Sequence, residues 1–311
     1  MERQLRSDLH APGGVEARIT PDSPRHVIDV TLFASPLLRI GRWRCPAGHH
    51  QFRDSGPASD TLFAFPRESV RIRHEGGDEF GADANTVTYY NKGQRYRRTA
   101  TPGWGDRCEW FAFQPEAVAA MLAACDPAAR DRLDRLFPFT HGPADVRSFL
   151  AQRRVFDHVS REGEPDRLFV EETMLGVLER VATLAYERRG AAPVARGPGR
   201  RQHDLAEAAR ELIAERYFEN LSLSEIAMRV GASMFHLSRV FRRRTGFSLH
   251  RYRTHLRLRA ALDLLAADPE RDLSALALGL GFSSHSHFTD VFRRTFGRPP
   301  SAMSGHRCVP K

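Results

Sequence analysis

The sequence predicts an α+β protein of several domains, in which a β-barrel is followed by a helical middle segment and an all-α domain with two helix-turn-helix units. Three observations predict this class. Short apolar runs between turn signals fill the first third of the chain, the apolar period then becomes helical, and residues 223–300 contain one pattern twice. A chain of 311 residues has room for two or three domains.

The chain begins with a polar stretch, residues 1–24, that Pro and Gly interrupt, and we expect a flexible tail there. In residues 25–114, seven segments have the composition of β-strands: 27–33, 37–43, 61–65, 70–74, 86–90, 95–99 and 109–113. Turn signals such as Gly76-Gly77 and Lys92-Gly93 separate them. Seven short strands at this spacing predict a barrel or a sandwich.

Residues 115–189 have the apolar spacing of helices. The first stretch contains Val118, Met121, Leu122 and Cys125, followed by Leu133, Leu136 and Phe137. A longer helix is predicted over 165–189, where two apolar stripes lie side by side. Dimerisation and burial within one subunit explain the second stripe equally well. Residues 190–203 are small, basic and rich in Pro and Gly, which predicts a linker to the last domain.

Two helix-turn-helix units are predicted over 223–244 and 273–296. Their first helices align at an offset of 50 residues, whereas Val240-Phe241-Arg242-Arg243 aligns with Val291-Phe292-Arg293-Arg294 at an offset of 51, so the second turn is one residue longer. Ser222 and Glu225 have the spacing of a capping box. Gly231 suits a turn that needs a positive φ, and Gly246 and Gly297 suit helix ends.

The basic charge of the chain is concentrated in this repeated region. The net charge is +9, and residues 201–311 hold 18 Lys and Arg against 11 Asp and Glu. Between Arg229 and Arg259 there are nine arginines and no acidic residue. Such a surface attracts phosphate, and its binding weakens as the salt concentration rises. The pattern therefore indicates a nucleic-acid-binding domain.

Several other classes of protein are disfavoured. The four cysteines, Cys45, Cys108, Cys125 and Cys308, are far apart in sequence and form no C-x-x-C pair, which argues against a zinc site or a disulfide framework. Residues 1–14 lack the apolar core of a signal peptide, and the longest apolar run is half a membrane span. We therefore expect a soluble, cytoplasmic protein with no membrane partner.

The second repeat carries a family resemblance. Gly281-Phe282-Ser283, Phe288, Phe292-Arg293-Arg294, Phe296-Gly297 and Pro299-Pro300 resemble the signature of AraC/XylS-type transcription regulators, and the resemblance covers residues 204–306. It implies about seven helices, with two helix-turn-helix units joined by a long helix, His250 to Ala267. It also implies a cupin-like sensor domain over residues 25–114. The two recognition helices would enter successive major-groove segments about 34 Å apart.

The same resemblance assigns the residues that face DNA. In the first unit they are Phe235, His236, Ser238 and Arg239, and in the second unit His285, Ser286, Thr289 and Asp290; four further arginines on these helices complete the expected DNA contacts: Arg242, Arg243, Arg293 and Arg294. Arginine binds guanine or phosphate, whereas Phe235 suits a thymine methyl group or a sugar. Asp290 would accept from cytosine or pair with the arginines one turn later, and the second alternative is preferred. The first unit should therefore supply more of the specificity.

The N-terminal domain offers candidate effector residues. Arg44, Arg67, Arg71, Arg73 and His74 would suit a carboxylate or phosphate. Tyr96 could stack on a ring, as could Tyr89, Trp43, Trp104 and Trp110, although such residues in strands are usually core or solvated. Cys45 and Cys108 would form a redox pair only if the fold brings them together. His49 and His50 lack the further His and acid of metal-dependent cupins, so no metal, cofactor or catalytic site is expected.

These observations predict a sequence-specific transcription regulator that binds double-stranded DNA under the control of a small-molecule effector. Activation through RNA polymerase is the commoner outcome in the family that the chain resembles, and a homodimer is compatible with the second apolar stripe. One alternative is a DNA-repair protein that uses Cys45 as a methyl acceptor, although the chain lacks the cysteine cluster of such proteins. Another is a metal-dependent cupin enzyme tethered to DNA.

Overall fold

The computed structural model describes residues 27–100, 105–160, 165–191 and 199–303. The tail expected at 1–24 and the middle of the expected linker, 192–198, lie outside the described residues. The chain divides into two compact units, and their boundary lies between Gly199 and Arg200. Each unit is described by itself.

The described part of the first unit contains nine strands, and all seven predicted strands are among them. The strands are β1 (Ile28–Ala34), β2 (Leu38–Cys45), β3 (Leu62–Pro66), β4 (Val70–His74), β5 (Glu79–Ala82), β6 (Thr86–Tyr90), β7 (Tyr96–Ala100), β8 (Asp106–Phe113) and β9 (His141–Pro143). The sequence did not reveal β5 and β9, which are short and each contain a glycine. Glycine lowers the strand propensity of a segment.

The expected closed barrel is wrong, because the described strands form two antiparallel sheets. One sheet has the order β1-β2-β8-β3-β6-β9 and the other β5-β4-β7. Strand β3 ends at Pro66, which has no N–H with which to continue the ladder. The two sheets pack face to face, since the Phe80 ring lies 4.3 Å from that of His141 and the His74 ring 5.0 Å from that of Tyr90. The architecture is therefore a sandwich.

Three longer helices of this unit are α2 (Pro115–Leu122), α3 (Val146–Val159) and α4 (Arg167–Ala191), and a short α1 spans His50–Arg53. Helix α3 was not predicted. The helical prediction for 133–137 is wrong: a 3-10 helix, Pro127–Asp131, precedes this segment, and the side chain of Asn91 bonds both the N–H and the C=O of Phe137 at 2.8 and 2.9 Å. These tertiary bonds replace those that a helix would supply.

The outer face of the six-stranded sheet holds an aromatic core of Phe63, Phe65, Tyr89, Phe111 and Phe113. The Tyr89 hydroxyl donates to the Val181 carbonyl of α4 at 2.9 Å, which places that helix against this face. In the second apolar stripe of α4, Leu178, Ala182 and Ala185 are buried within the subunit, whereas Leu168 is 66% exposed. Burial within one subunit therefore accounts for most of the stripe.

The second unit is entirely helical in its described part. Its helices are α5 (Gly199–Glu215), α6 (Leu223–Arg229), α7 (Met234–Thr245), α8 (Leu249–Ala267), α9 (Leu273–Gly279) and α10 (His285–Phe296), followed by a 3-10 turn (Pro300–Ala302). The expected linker, 190–203, is thus too long, because α4 continues to Ala191 and α5 begins at Gly199. No helix in the described segments combines the length and the apolar composition needed to cross a bilayer.

Helix α8 holds the two helix-turn-helix units together. The sequence predicts an inner stripe of Leu258, Ala261, Leu262 and Leu265. Leu262 is only partly buried, whereas the other three are buried in one core with Phe288 and Phe292 of α10. Burying apolar side chains of this size contributes about 1.5–3 kcal/mol each. Tyr252 of the same helix packs on Phe241 of α7, with ring centroids 5.4 Å apart, so α8 contacts both helix-turn-helix units.

Candidate nucleic-acid interface

The first helix-turn-helix unit is defined by local capping. The Ser222 hydroxyl accepts from the Glu225 N–H at 3.2 Å, and the Glu225 carboxylate accepts from the Ser222 N–H at 2.7 Å, so the predicted capping box is confirmed. The backbone hydrogen bond from Ser222 lowers the pKa of Glu225. Gly231 has φ +68°, Ser233 caps α7, and α7 ends at Gly246 with φ +80°.

The second unit repeats this plan with the longer turn that the sequence predicts. Helix α9 is capped by Asp272, Gly281 has φ +82°, and Ser284 caps α10, which ends at Gly297. The longer turn contains Phe282, which is 4% exposed and packs on Phe288 with ring centroids 5.2 Å apart. Phe282 is the counterpart of Ala232, since the N–H of each donates to the carbonyl five residues back, so the extra residue lies between Phe282 and the cap Ser284.

Of the recognition helices in the two helix-turn-helix units, α7 has the more basic surface. Leu237, Val240 and Phe241 face the core, while Arg239, Arg242 and Arg243 are exposed on the other side. Within the described chain these three arginines form no ion pair. His236 and Ser238 are half-buried beside them, and the Phe235 side chain lies outside the described part. The face thus offers three uncompensated guanidinium groups.

Helix α10 carries a different charge pattern. Asp290 accepts from Arg293 at 3.3 Å and lies 3.5 Å from the Arg294 guanidinium, so it forms the intrahelical pairs that the sequence favoured. The His285 ring contacts the Thr289 hydroxyl at 3.3 Å. Ser286 is exposed beside them. Because Asp290 offsets part of the arginine charge, α10 is less basic than α7.

One residue of this surface was missed. His287 aligns with His236 at the offset of 51, is exposed, and contacts the Ser283 hydroxyl at 2.9 Å. The sequence-based set contains His285 instead, which aligns with Met234. The alignment of the two repeats was the signal that could have found His287.

The Arg257 side chain holds the two helix-turn-helix units in position relative to each other. From α8 it donates to the carbonyls of Tyr217, Glu219 and Gly281 and to the side chain of Asn220, with the bonds to Gly281 and Glu219 at 2.7 and 2.9 Å. Burial, with a smaller effect of another arginine, lowers its pKa to about 10. One guanidinium therefore ties the segment before α6 to the turn before α10.

Removing the acid of α10 should strengthen binding to DNA. We expect Asp290→Asn to tighten the complex by roughly two- to five-fold at moderate salt, because it frees two arginines from weak surface pairs. Fluorescence anisotropy with a labelled duplex measures the change. Asp268→Asn, which breaks the pair with Arg271 away from both recognition helices, serves as the control and should change nothing. Weaker binding by Asp290→Asn would instead indicate that its carboxylate accepts from a cytosine.

The candidate effector residues are only partly brought together. Arg44 lies on the sheet face opposite that of Trp43, Arg67 is buried in a pair with Glu109 at 3.5 Å, and Arg71 pairs with Glu79 on the exposed face of β4. The remaining three, Arg73, His74 and Tyr96, border a cleft of about 470 Å³. Burial lowers the pKa of His74 to about 4, so its ring is neutral at pH 7.

A second cleft, of about 350 Å³, lies between the two sheets, and its aromatic residues are Trp43, Tyr90, Tyr96 and Trp110. Trp43, Tyr96 and Trp110 are among the residues predicted to stack on a ring, whereas Tyr89 is buried in the core and Trp104 lies outside the described residues. Alternation along a strand shows which residues share a face, but not which face the second sheet covers. The sequence therefore could not separate these three from Tyr89, nor could it find Tyr90.

The two candidate redox cysteines lie on one sheet face, because Cys45 pairs with Asp106 and Cys108 with Trp43 on neighbouring strands. Both are free thiols, and burial raises the pKa of each, which disfavours a reactive thiolate. Cys45 is fully buried, so the methyl-acceptor alternative gains no support. In the described segments no three His, Cys, Asp or Glu side chains are grouped as metal ligands, and His49 instead caps α1.

Two capped helix-turn-helix units with an arginine-rich recognition helix define a DNA-binding protein of the helix-turn-helix class. Residues 226–305 match the family model described as "Helix-turn-helix domain". The regulatory protein SoxS of Salmonella typhimurium is 37% identical over 92 residues, which cover 29% of this chain and 84% of SoxS. The transcriptional activator RhaS of Escherichia fergusonii is 33% identical over 88 residues, or 28% of this chain.

The chain belongs to the AraC/XylS family of DNA-binding transcription regulators, which are not enzymes. It spans about a third of the length of RhaS and of some other curated relatives that it matches. Among solved structures, ToxT from Vibrio cholerae is 13% identical, with 86% of this chain and 98% of ToxT covered and a TM-score of 0.34. That score is too low to establish a common overall fold.

Proposed function

We propose that this protein is a ligand-controlled transcription activator that binds a specific DNA site with both helix-turn-helix units. The observation that carries the proposal is the pair of capped units that share α8 and the Arg257 contacts. A fixed pair of recognition helices suits two short DNA elements on one face of the duplex, about 10 base pairs apart. Double-stranded DNA is the first partner.

The roles of the DNA-facing residues follow from their exposure and charge. In the proposed complex Arg239 reads a base edge, with Phe235, His236 and Ser238 beside it, while Arg242 and Arg243 bind phosphate. On α10 the corresponding set is His285, Ser286, His287 and Thr289, with Arg293 and Arg294 toward phosphate and Asp290 as their intrahelical partner. The first helix-turn-helix unit, which contains α7, supplies the larger share of the free energy of DNA binding.

Control and activation are the second part of the proposal. A ligand in the cleft between the two sheets changes the conformation of the N-terminal sandwich. That change sets whether both helix-turn-helix units bind DNA. The cleft supports this role because it is concave, lined by aromatic residues and large enough for a small molecule. RNA polymerase is the proposed partner of the bound protein, and similarity to the transcriptional activator RhaS supports that outcome. Homodimerisation is not required.

The proposal is tested by selecting genomic fragments with the full-length protein at moderate salt and sequencing those that are retained. We expect one enriched site with two short elements about 10 base pairs apart. Enrichment of a single element, or of none, by both the full chain and residues 199–303 would contradict binding by both units. Transcription from a selected promoter in vitro then distinguishes activation from repression.

Arg239→Ala and Arg243→Ala should separate base recognition from phosphate binding. We expect Arg239→Ala to cost about 1–3 kcal/mol on the selected site and to relax preference at one base pair. Arg243→Ala should instead weaken binding to all sequences and lower the slope of log affinity against log salt by about one. Competition with single-base variants at several salt concentrations measures both. Equal weakening on every sequence by Arg239→Ala would assign that residue to phosphate instead.

A further inference from the structure

The space between the two sheets is filled at one end and open at the other. Cys45, Phe52, Val70, Ile72, Phe80 and Ala82 form a buried core at the filled end. At the open end the sheet contributes the smaller Leu62 and Ala64, and the cleft of about 350 Å³ remains. The Trp110 indole lies directly over Gly41, where a Cβ atom would overlap it. Glycine at this position thus allows the indole to lie flat in the cleft wall.

The arginines of this cleft already have partners. Arg98 forms a buried ion pair with Asp106, and its Nε donates to the Ser55 hydroxyl at 2.9 Å. Arg39 pairs with Asp60 at the rim. Both guanidinium charges are thus offset by an internal carboxylate, although Arg98 Nη2 has no hydrogen-bond partner within the described residues. A ligand anion therefore gains less from these paired arginines than it would from unpaired ones.

Asp29 is the third carboxylate of the cleft, and the arginine whose charge acts on it, Arg39, already pairs with Asp60. Asp29 accepts from the Trp110 indole N–H at 3.0 Å and forms no ion pair within the described chain. Two arginines and three carboxylates line the cleft. Because Cys108, Tyr90 and Tyr96 are neutral, its side chains carry an excess of one negative charge. Partial burial raises the pKa of Asp29, which means that its charge is not fully stabilised by its surroundings.

The aromatic walls complement this excess of negative charge. Indole and phenol rings present a negative face to a cation, and tryptophan does so most strongly. Trp110 lies beside Asp29, whereas the Arg98 guanidinium already lies over the rings of Trp43 and Tyr96, 4.9 and 5.3 Å from their centres. A carboxylate next to the Trp110 indole is a suitable environment for a protonated amine with an apolar body.

We propose that the cleft binds a small organic cation, whose ammonium group is held by Asp29 and whose apolar body packs on Trp110. The cation site itself stands on the geometry of the first unit. Only its role in controlling DNA binding rests on the proposed function. Ligand-dependent change would then begin at β1 and β8, the strands that carry Asp29 and Trp110.

Three probes of the same shape test the charge preference: phenethylamine, phenethyl alcohol and hydrocinnamate. With the full-length protein in isothermal titration calorimetry, we expect the amine to bind at least tenfold more tightly than the alcohol. Hydrocinnamate should bind more weakly than either. Asp29→Asn, which can still accept from the Trp110 N–H, should reduce the affinity for the amine about tenfold and leave that for the alcohol unchanged. Asp134→Asn, outside the cleft, is the control.

Preferential binding of hydrocinnamate would overturn the proposal, as would equal amine affinity in the wild type and Asp29→Asn or the absence of amine binding. Its failure is distinguishable from failure of ligand control. If the amine binds and needs Asp29, but affinity for the selected DNA site does not change, the cation site stands and control through this cleft is wrong. If hydrocinnamate binds and alters DNA affinity, ligand control stands and the cation is wrong.

Discussion

Gly281→Ala is expected to lower the free energy of unfolding of the C-terminal helical unit, which contains both helix-turn-helix units, by about 3 kcal/mol. Gly231→Ala should lower the same free energy by only about 1 kcal/mol. Both glycines have positive φ, +82° and +68°, so the conformational cost of a side chain is similar. A Cβ at Gly281 would overlap the Phe218 carbonyl and lie 2.6 Å from Arg257 Nη2. At Gly231 no atom lies within 4 Å of the added Cβ.

Urea denaturation of the full-length protein measures this difference. Helical circular dichroism reports the unfolding of both units, whereas tryptophan fluorescence reports the first unit alone, because Trp43, Trp104 and Trp110 all precede residue 199. A change seen by circular dichroism and not by fluorescence therefore belongs to the second unit. The fluorescence transition should be the same in both variants and in the wild type. Equal losses at the two glycines would show that the backbone around Gly281 relaxes and that Arg257 does not hold the turn rigidly.

Asp106→Asn should destabilise the first unit by about 3–5 kcal/mol, because it leaves the Arg98 charge buried without a counter-charge. The two side chains of this pair are 1% and 8% exposed. Burial opposes the charge on Arg98, but Asp106 and neighbouring groups outweigh that effect, and the pKa of Arg98 is raised. The cation also lies 4.9 Å from the centre of the Trp43 ring.

The matched control is Asp60→Asn, which breaks the Arg39 pair of the same cleft. That pair is 45% and 29% exposed, and exposed pairs contribute about 0–1 kcal/mol. Denaturation followed by tryptophan fluorescence should therefore separate the two variants by at least 2 kcal/mol. If Asp106→Asn costs no more than Asp60→Asn, water reaches Arg98 and the pair does not support the fold.

The helices and turns of the C-terminal helical unit could be predicted closely from sequence, because the residues that determine them act locally. Ser222 with Glu225 and the glycines after α7 and α10 each act within a few residues, and the structure has all of them at the expected positions. The longer second turn followed from a change of offset between two copies. Comparison of the copies replaces part of the information that tertiary structure would supply.

The first unit was predicted less well because its determinants are distant in sequence. Arg71 in β4 and Arg98 in β7 both lie in alternating strands, yet the first is exposed and the second is buried against Asp106. Only the position of the opposing sheet decides which face is covered. In the same way, the bonds from Asn91 to Phe137 join residues on separate segments, and no helical period could reveal them.

The Arg257 contacts also have a consequence for promoters. Because one side chain joins the segment before α6 to the turn before α10, the spacing between the two recognition helices is set by the protein and not by the DNA. In the proposed complex, the protein therefore fixes the distance between the two DNA elements that it binds. Base changes in a half-site alter individual contacts, whereas one base pair inserted between the half-sites moves one of them along and around the duplex, away from its helix. Regulated genes should therefore conserve the distance between the two elements more strictly than the letters of the second.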